Sequence, residues 1–246
     1  EQINKWAKIS KQCLVYDYGL DCRYYYCPFP DFDVLRENYA YYATLNPWGY
    51  MNLCNPHQNG CDFSELRFYL YAKLLQYPNM TEEEYNRHID EFINAYYGDA
   101  APYVKEYFDW TQKITDEHGQ CFSFYASPEE MWGEKVFRNN AEFLQDLFAK
   151  AKAAVADDEA SLTRVRRLWV GMEYLRIGDI HRAIFIGGDE AKIAELTADI
   201  KHFWDEVLDL GLNWVYESGK VPSKIDYTHN PRMLFYSLHK FLGYDD

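Results

Sequence analysis

Asp17 sits in Leu14-Val-Tyr-Asp-Tyr18, near the end of a short apolar run that stops at Gly19. An acid in such a run has two readings. It either faces an open cleft, as a sugar-hydroxyl acceptor or one of a catalytic carboxylate pair, or is a structural acid held by loop amides or an arginine, because an unpaired buried charge is costly. Asn52 holds the corresponding place in a second run, Trp48-Gly-Tyr-Met-Asn-Leu-Cys54. Its amide can bond a hydroxyl or an acetamido group, or only backbone, but it cannot supply a carboxylate. The loops that follow carry Asp21, Arg23, Tyr24, Tyr25 and Tyr26, then Asn55, His57 and Gln58. With Tyr16 and Tyr18 they combine aromatic faces that stack on sugar rings with donors and acceptors for hydroxyls; the alternative is a tyrosine-rich loop packed on helices. Asp17 is thus the catalytic candidate. Tyr16, Tyr18, Asp21, Arg23, Tyr24, Asn52, Asn55 and His57 are the candidate substrate contacts.

Other chemistries find less support. Cys54, His57 and Cys61, with Cys22 and Cys27 on the preceding loop, could offer zinc thiolates and an imidazole, but neither spacing is that of a finger, so no metal is expected. A Cys22/Cys27 or Cys54/Cys61 disulfide would need an oxidising compartment; free buried thiols are the default. His118, His181, His202, His229 and His239 have no nucleophile beside them and read as structural. Glu82-Glu83-Glu84 and Asp157-Asp158-Glu159 suit helix N-termini, where acids complement the dipole. Gly187-Gly188 lacks the pattern of a phosphate-cradling loop, and no cofactor is expected.

Charge narrows the partners. The 246 residues carry 25 Lys and Arg against 39 Asp and Glu, a formal charge of −14, which disfavours nucleic acid and anionic lipid. A neutral or cationic ligand fits better. No apolar run approaches the roughly 20 residues that cross a bilayer. Of 23 tyrosines, 17 precede residue 110, and five of the six cysteines precede residue 62, so the chemistry-bearing side chains crowd into the first part of the chain.

The elements that must position them follow from spacing. Residues 12–18 and 48–54 read as strands buried on both faces, with a helix between them opened by Asp31 and closed before Asn46-Pro47. Asp62 with Glu65 forms a capping-box pattern for a helix carrying Leu66, Leu70, Leu74 and Leu75 to Tyr77-Pro78. Strand, helix, strand, helix at this spacing predicts adjacent parallel strands. From residue 81 every periodic stretch is helical. Thr81 with Glu84 opens a helix to Tyr97-Gly98, Asp99 one to about His118, Ser127-Pro128 one to Ala156, and Asp157 or Asp158 one through His181. Asp189 opens another through Leu210, and Asn230-Pro231 the last. The fold class is mainly α with a small parallel β part.

Two parallel strands alone leave open edges, and parallel sheets need both faces covered. The expectation is therefore the last two β/α units of a (β/α)8 barrel over residues 1–80, then a helical bundle domain over 81–246, in the tail of a longer chain. The rival is a small complete mixed domain. Barrel chemistry sits at the carboxyl ends of strands, which is where Asp17 and Asn52 fall.

Val15-Tyr-Asp-Tyr18, Cys27-Pro-Phe-Pro30, Ser64-Glu-Leu-Arg-Phe-Tyr-Leu-Tyr-Ala-Lys-Leu-Leu75 and Asp90-Glu-Phe-Ile-Asn-Ala-Tyr-Tyr-Gly-Asp-Ala-Ala101 resemble the signature blocks of domain of unknown function family 4838. The resemblance covers about residues 12–110. It implies a bacterial protein similar to alpha-glucuronidases and hexosaminidases, with a glycosidase-type barrel, a helical tail, carbohydrate as substrate, and a secreted or cell-envelope location. The family pattern has an acid at Asp17, usually after tryptophan where this chain has Tyr16, and many members carry glutamate where it has Asn52. The leading expectation is the C-terminal part of a glycoside hydrolase whose catalytic acids lie largely upstream, with this chain inactive by itself. Alternatives are a noncatalytic glycan-binding protein and a helical interaction module. Oligomeric state is not legible.

Overall fold

In the computed structural model the described residues are those of 2–220 apart from 11, 23, 55–61, 119–121, 127, 134–135, 188–189, 213 and 217–218. Helix α1 (Gln2–Ile9) precedes strand β1 (Leu14–Tyr18), and α2 (Phe32–Thr44) leads to β2 (Gly49–Leu53) and α3 (Ser64–Gln76). The strands are parallel and in direct register, Leu14 opposite Gly49 and Asp17 opposite Asn52. Backbone bonds continue the ladder past both ends, from Trp48 N–H to Cys13 O at 2.7 Å and from Gly19 N–H to Leu53 O at 2.9 Å. The expected strand, helix, strand, helix order over these residues is what forms.

Over this part of the chain three local expectations are not met. Among the described residues the two faces of the sheet differ: Val15, Asp17, Tyr50 and Asn52 turn toward α2 and α3, whereas Leu14, Tyr16 and Met51 are exposed on the other side. Asp31 precedes α2 without capping it by its side chain, because its carboxylate accepts instead from Arg67 Nε at 2.9 Å. Asp62 likewise forms no capping box with Glu65, since it binds Arg67 and the Phe29 N–H, and Phe63, in the left-handed region at φ +33°, enters α3.

Beyond β2 and α3 the chain is helical. Next come α4 (Glu82–Tyr97), a 3-10 turn at Gly98–Ala100, α5 (Ala101–His118), α6 (Pro128–Trp132), α7 (Val136–Asn139), α8 (Ala141–Ala154), α9 (Glu159–Gly187) and α10 (Glu190–Asp209). A short antiparallel pair, β3 (Trp214–Tyr216) and β4 (Gly219–Lys220), follows. Thr81 and Glu84 close a reciprocal capping box on α4, and Gly98 ends that helix at φ +54°, as the sequence suggests. Asp158 accepts from the N–H groups of Ala160 and Ser161 and so caps α9. The single helix expected from Ser127 to Ala156 is instead the three helices α6, α7 and α8. Gly133 breaks the first at φ +76°, and the Trp132 indole N–H is drawn to Pro28 O at 3.1 Å. The helix starts read at Asp189 and at Asn230-Pro231 lie outside the described residues.

One buried cluster runs from Tyr24 to Leu212, across the boundary expected near residue 80. Phe63 is at its centre, against Phe32, Tyr97, Tyr107 and Phe108 at centroid separations of 5.3–6.3 Å. Gly171 in α9 admits the Tyr26 carbonyl, which a Cβ there would meet at 2.9 Å. Among the described residues no helix is long and apolar enough to cross a membrane.

Candidate functional site

Register brings Asp17 and Asn52 together, one on each strand, on the face that looks at α2. Asp17 Oδ1 accepts from the Tyr18 N–H at 2.9 Å, and Oδ2 from the Tyr42 hydroxyl at 3.4 Å. Burial pushes the Asp17 carboxyl above its ordinary value, and these two hydrogen bonds oppose the shift. Tyr42 is raised to about 12 by burial and by the charge of Asp17. Behind the strands Tyr39 stacks between Tyr50 at 6.0 Å and Tyr71 at 5.5 Å. Burial and the nearby Asp17 charge hold its phenol far up; Asn52 offsets this in part without closing a well-formed hydrogen bond.

The opposite face has a different character. Tyr16, 45% exposed, meets Tyr18 edge-on at 4.9 Å, and Phe124 stacks on Tyr18 at 4.3 Å with Tyr125 beside it. The Phe124 loop is tied down by a hydrogen bond from Cys22 N–H to Phe124 O at 2.8 Å. Tyr18 is pushed up to about 12, first by its interaction with the Tyr16 hydroxyl. Asp17 and Tyr16, adjacent in sequence, therefore serve opposite sides of the sheet, as alternation in a strand requires. The remaining candidates divide. Asp21 and Tyr24 are buried in the loop after β1, where Asp21 Oδ1 accepts from the Tyr24 N–H at 3.1 Å, so neither stands on a rim. Arg23, Asn55, His57 and Gln58 lie outside the described residues, as does Cys61. Cys27 and Cys54 are buried thiols, and Cys27 is not bridged to Cys22.

Sequence reasoning missed a charged cluster beside these loops. Arg67, 1% exposed, donates from Nε to Asp31 Oδ1 at 2.9 Å and from Nη2 to Asp62 Oδ2 at 3.1 Å and to Phe29 O. Asp62 Oδ2 also accepts from the Phe29 N–H at 3.0 Å, and the guanidinium lies 4.5 Å over the Phe32 ring. Burial pushes Asp31 up to about 6, against the pull of Arg67 and with help from Asp62. Asp62 is also raised by burial, with Arg67 opposing. At Gly19 an added Cβ would run into the Tyr71 hydroxyl and Arg67 Cδ, so the end of β1 rests directly on this cluster. A signal was present: Ser64, Arg67, Tyr71 and Leu74 recur at helical spacing on the buried stripe of α3, and an arginine there requires acids.

Residues 1–109 match the family model described as Domain of unknown function (DUF4838). The DUF4838 resemblance read from the sequence therefore holds over the strands, α2, α3, α4 and part of α5. Every candidate site residue from Tyr16 to His57 falls inside the DUF4838 stretch, and so does the Asp31, Arg67 and Asp62 cluster. Phe124 and Trp132, which close over the β1 loop, come from beyond it. No curated protein and no solved structure matches the chain.

Proposed function

We propose that β1, α2, β2 and α3 are two consecutive units of a (β/α) barrel in a carbohydrate-active protein, and that sugar contact falls on the sheet face carrying Tyr16 and Tyr18. The observation that carries this reading is that open face. In a barrel the side turned away from the helices lines the lumen, and chemistry gathers where strands end. Tyr16, Tyr18 and Phe124 supply aromatic surface there, and the resemblance to glycosidase-like proteins supplies the substrate class. Asp17 stands on the helix side, where its bonds to Tyr18 and Tyr42 favour an orienting role over a place in the cleft. Glycoside hydrolysis by the parent protein then draws its two carboxyl groups from other strands. A noncatalytic glycan-binding protein is the second reading, favoured by Asn52 standing opposite Asp17, which leaves one carboxyl at this level of the sheet.

The test is nuclear magnetic resonance titration of the chain with uronic-acid and N-acetylhexosamine oligosaccharides. Shifts should concentrate at β1, β2 and the Phe124 loop and disappear in Tyr16→Ala and Tyr18→Ala. Absence of any response, or shifts confined to the helices after residue 81, would count against the glycan reading.

A further inference from the structure

The cluster around Arg67 sets two carboxylates against one guanidinium in a dry site: Arg67 and Asp62 are buried, and the Asp31 side chain is 11% exposed. With both acids ionised the cluster holds one uncompensated negative charge, which an apolar interior penalises. Among the described residues, the surrounding titratable groups do not neutralise it. Tyr71 of α3, Tyr85 of α4 and Cys54 after β2 are all held up by burial, Cys54 to about 11, and stay uncharged at neutral pH. Asp33 and Arg36 of α2 act on Tyr85, and Asp33 is itself raised by burial and by Asp116 and Asp109.

The two acids are not equivalent. Asp62 accepts from a backbone N–H and from Arg67 Nη2, while Asp31 leans on Arg67 Nε. We infer that the cluster is a one-proton site in which Asp31 takes the proton, so that the loop between β1 and α2 is anchored more firmly in mildly acid than in neutral solution. A neutral Asp31 still offers an oxygen to Arg67 Nε, so the hydrogen bond survives while the excess charge disappears. The sign follows from linkage. Asp31 in the folded chain is raised to about 6, above its unfolded value, so the folded state binds more protons. Its contribution is complete below the unfolded value of about 4 and is lost as pH rises through the folded one. The inference stands apart from any reading of the glycan surface.

Asp31→Asn keeps an acceptor for Arg67 and removes the charge, so it mimics the protonated state. Urea unfolding of the whole chain at about pH 7.5 and about pH 5 is compared between wild type and variant, a difference that cancels the contributions of Asp17 and Asp33. The variant should have the higher midpoint at the upper pH and a smaller gain on acidification. A lower midpoint there, or a pH dependence equal to that of the wild type, would overturn the inference. Carbon-13 titration of the wild-type Asp31 carboxyl decides the matter independently of the variant's folding. A midpoint near 6 supports it, and one at or below the ordinary value of about 4 overturns it.

Discussion

Asp17 shows how far one side chain can be read from its neighbours. Its position at the end of an apolar run is visible in the sequence, but the side of the sheet it serves depends on which face the helices cover. That is a tertiary fact. Because its oxygens accept from the Tyr18 N–H and the Tyr42 hydroxyl, Asp17→Ala should lower stability by about 1–2 kcal/mol, measured by urea unfolding, while Tyr42→Phe costs less. Loss of glycan response in Asp17→Ala with unchanged stability would instead place the carboxylate in the cleft. An added Cβ at Gly19 would meet the Tyr71 hydroxyl and the Arg67 side chain, so Gly19→Ala should destabilise the chain by about 1–3 kcal/mol, whereas a change at Gly49 meets only Leu14 Cδ1 at 3.3 Å.

At the scale of elements, local chemistry was legible where it acts alone. Thr81 and Glu84 satisfy each other at 3.0 and 3.2 Å within one turn of α4. Thr81→Ala should therefore cost about 1 kcal/mol, read as an earlier thermal unfolding of the chain. Hydrogen bonds to Thr81 hold the Glu84 carboxyl below its ordinary value, so this cap is present above that value and weakens as pH falls through the folded one. Asp31 and Asp62 carry the same sequence signal but answer to Arg67, which lies 36 and 5 residues away and is invisible to local pattern. The break of the expected 127–156 helix has the same origin: Gly133 permits it, and the distant Pro28 carbonyl recruits Trp132. Caps are read locally, and long-range partners override them.

For the whole molecule, the mainly helical architecture with a small parallel sheet was readable from periodicity. The continuity of its core was not. Trp132, Phe63 and Trp204, each 2% exposed, belong to one buried cluster because loops and helices far apart in the chain close on one another, and no window of sequence contains that closure. The sheet stands outside this cluster, with Leu14, Tyr16 and Met51 each 45–52% exposed on the face that carries the proposed sugar contacts. Among the described residues the parallel sheet has two strands, and the proposed reading places the two carboxyl groups needed across a glycosidic bond, roughly 5 to 10 Å apart, on other strands. The direct measurement is turnover of a panel of aryl glycosides and oligosaccharides by the 246-residue chain, with its association state followed by light scattering in the same samples. The expected result is no turnover, with any self-association running along the outer strand edges and leaving the aromatic face free for sugar. Clear turnover by a monodisperse monomer, abolished by Asp17→Asn, would contradict it and place a complete active site within these residues.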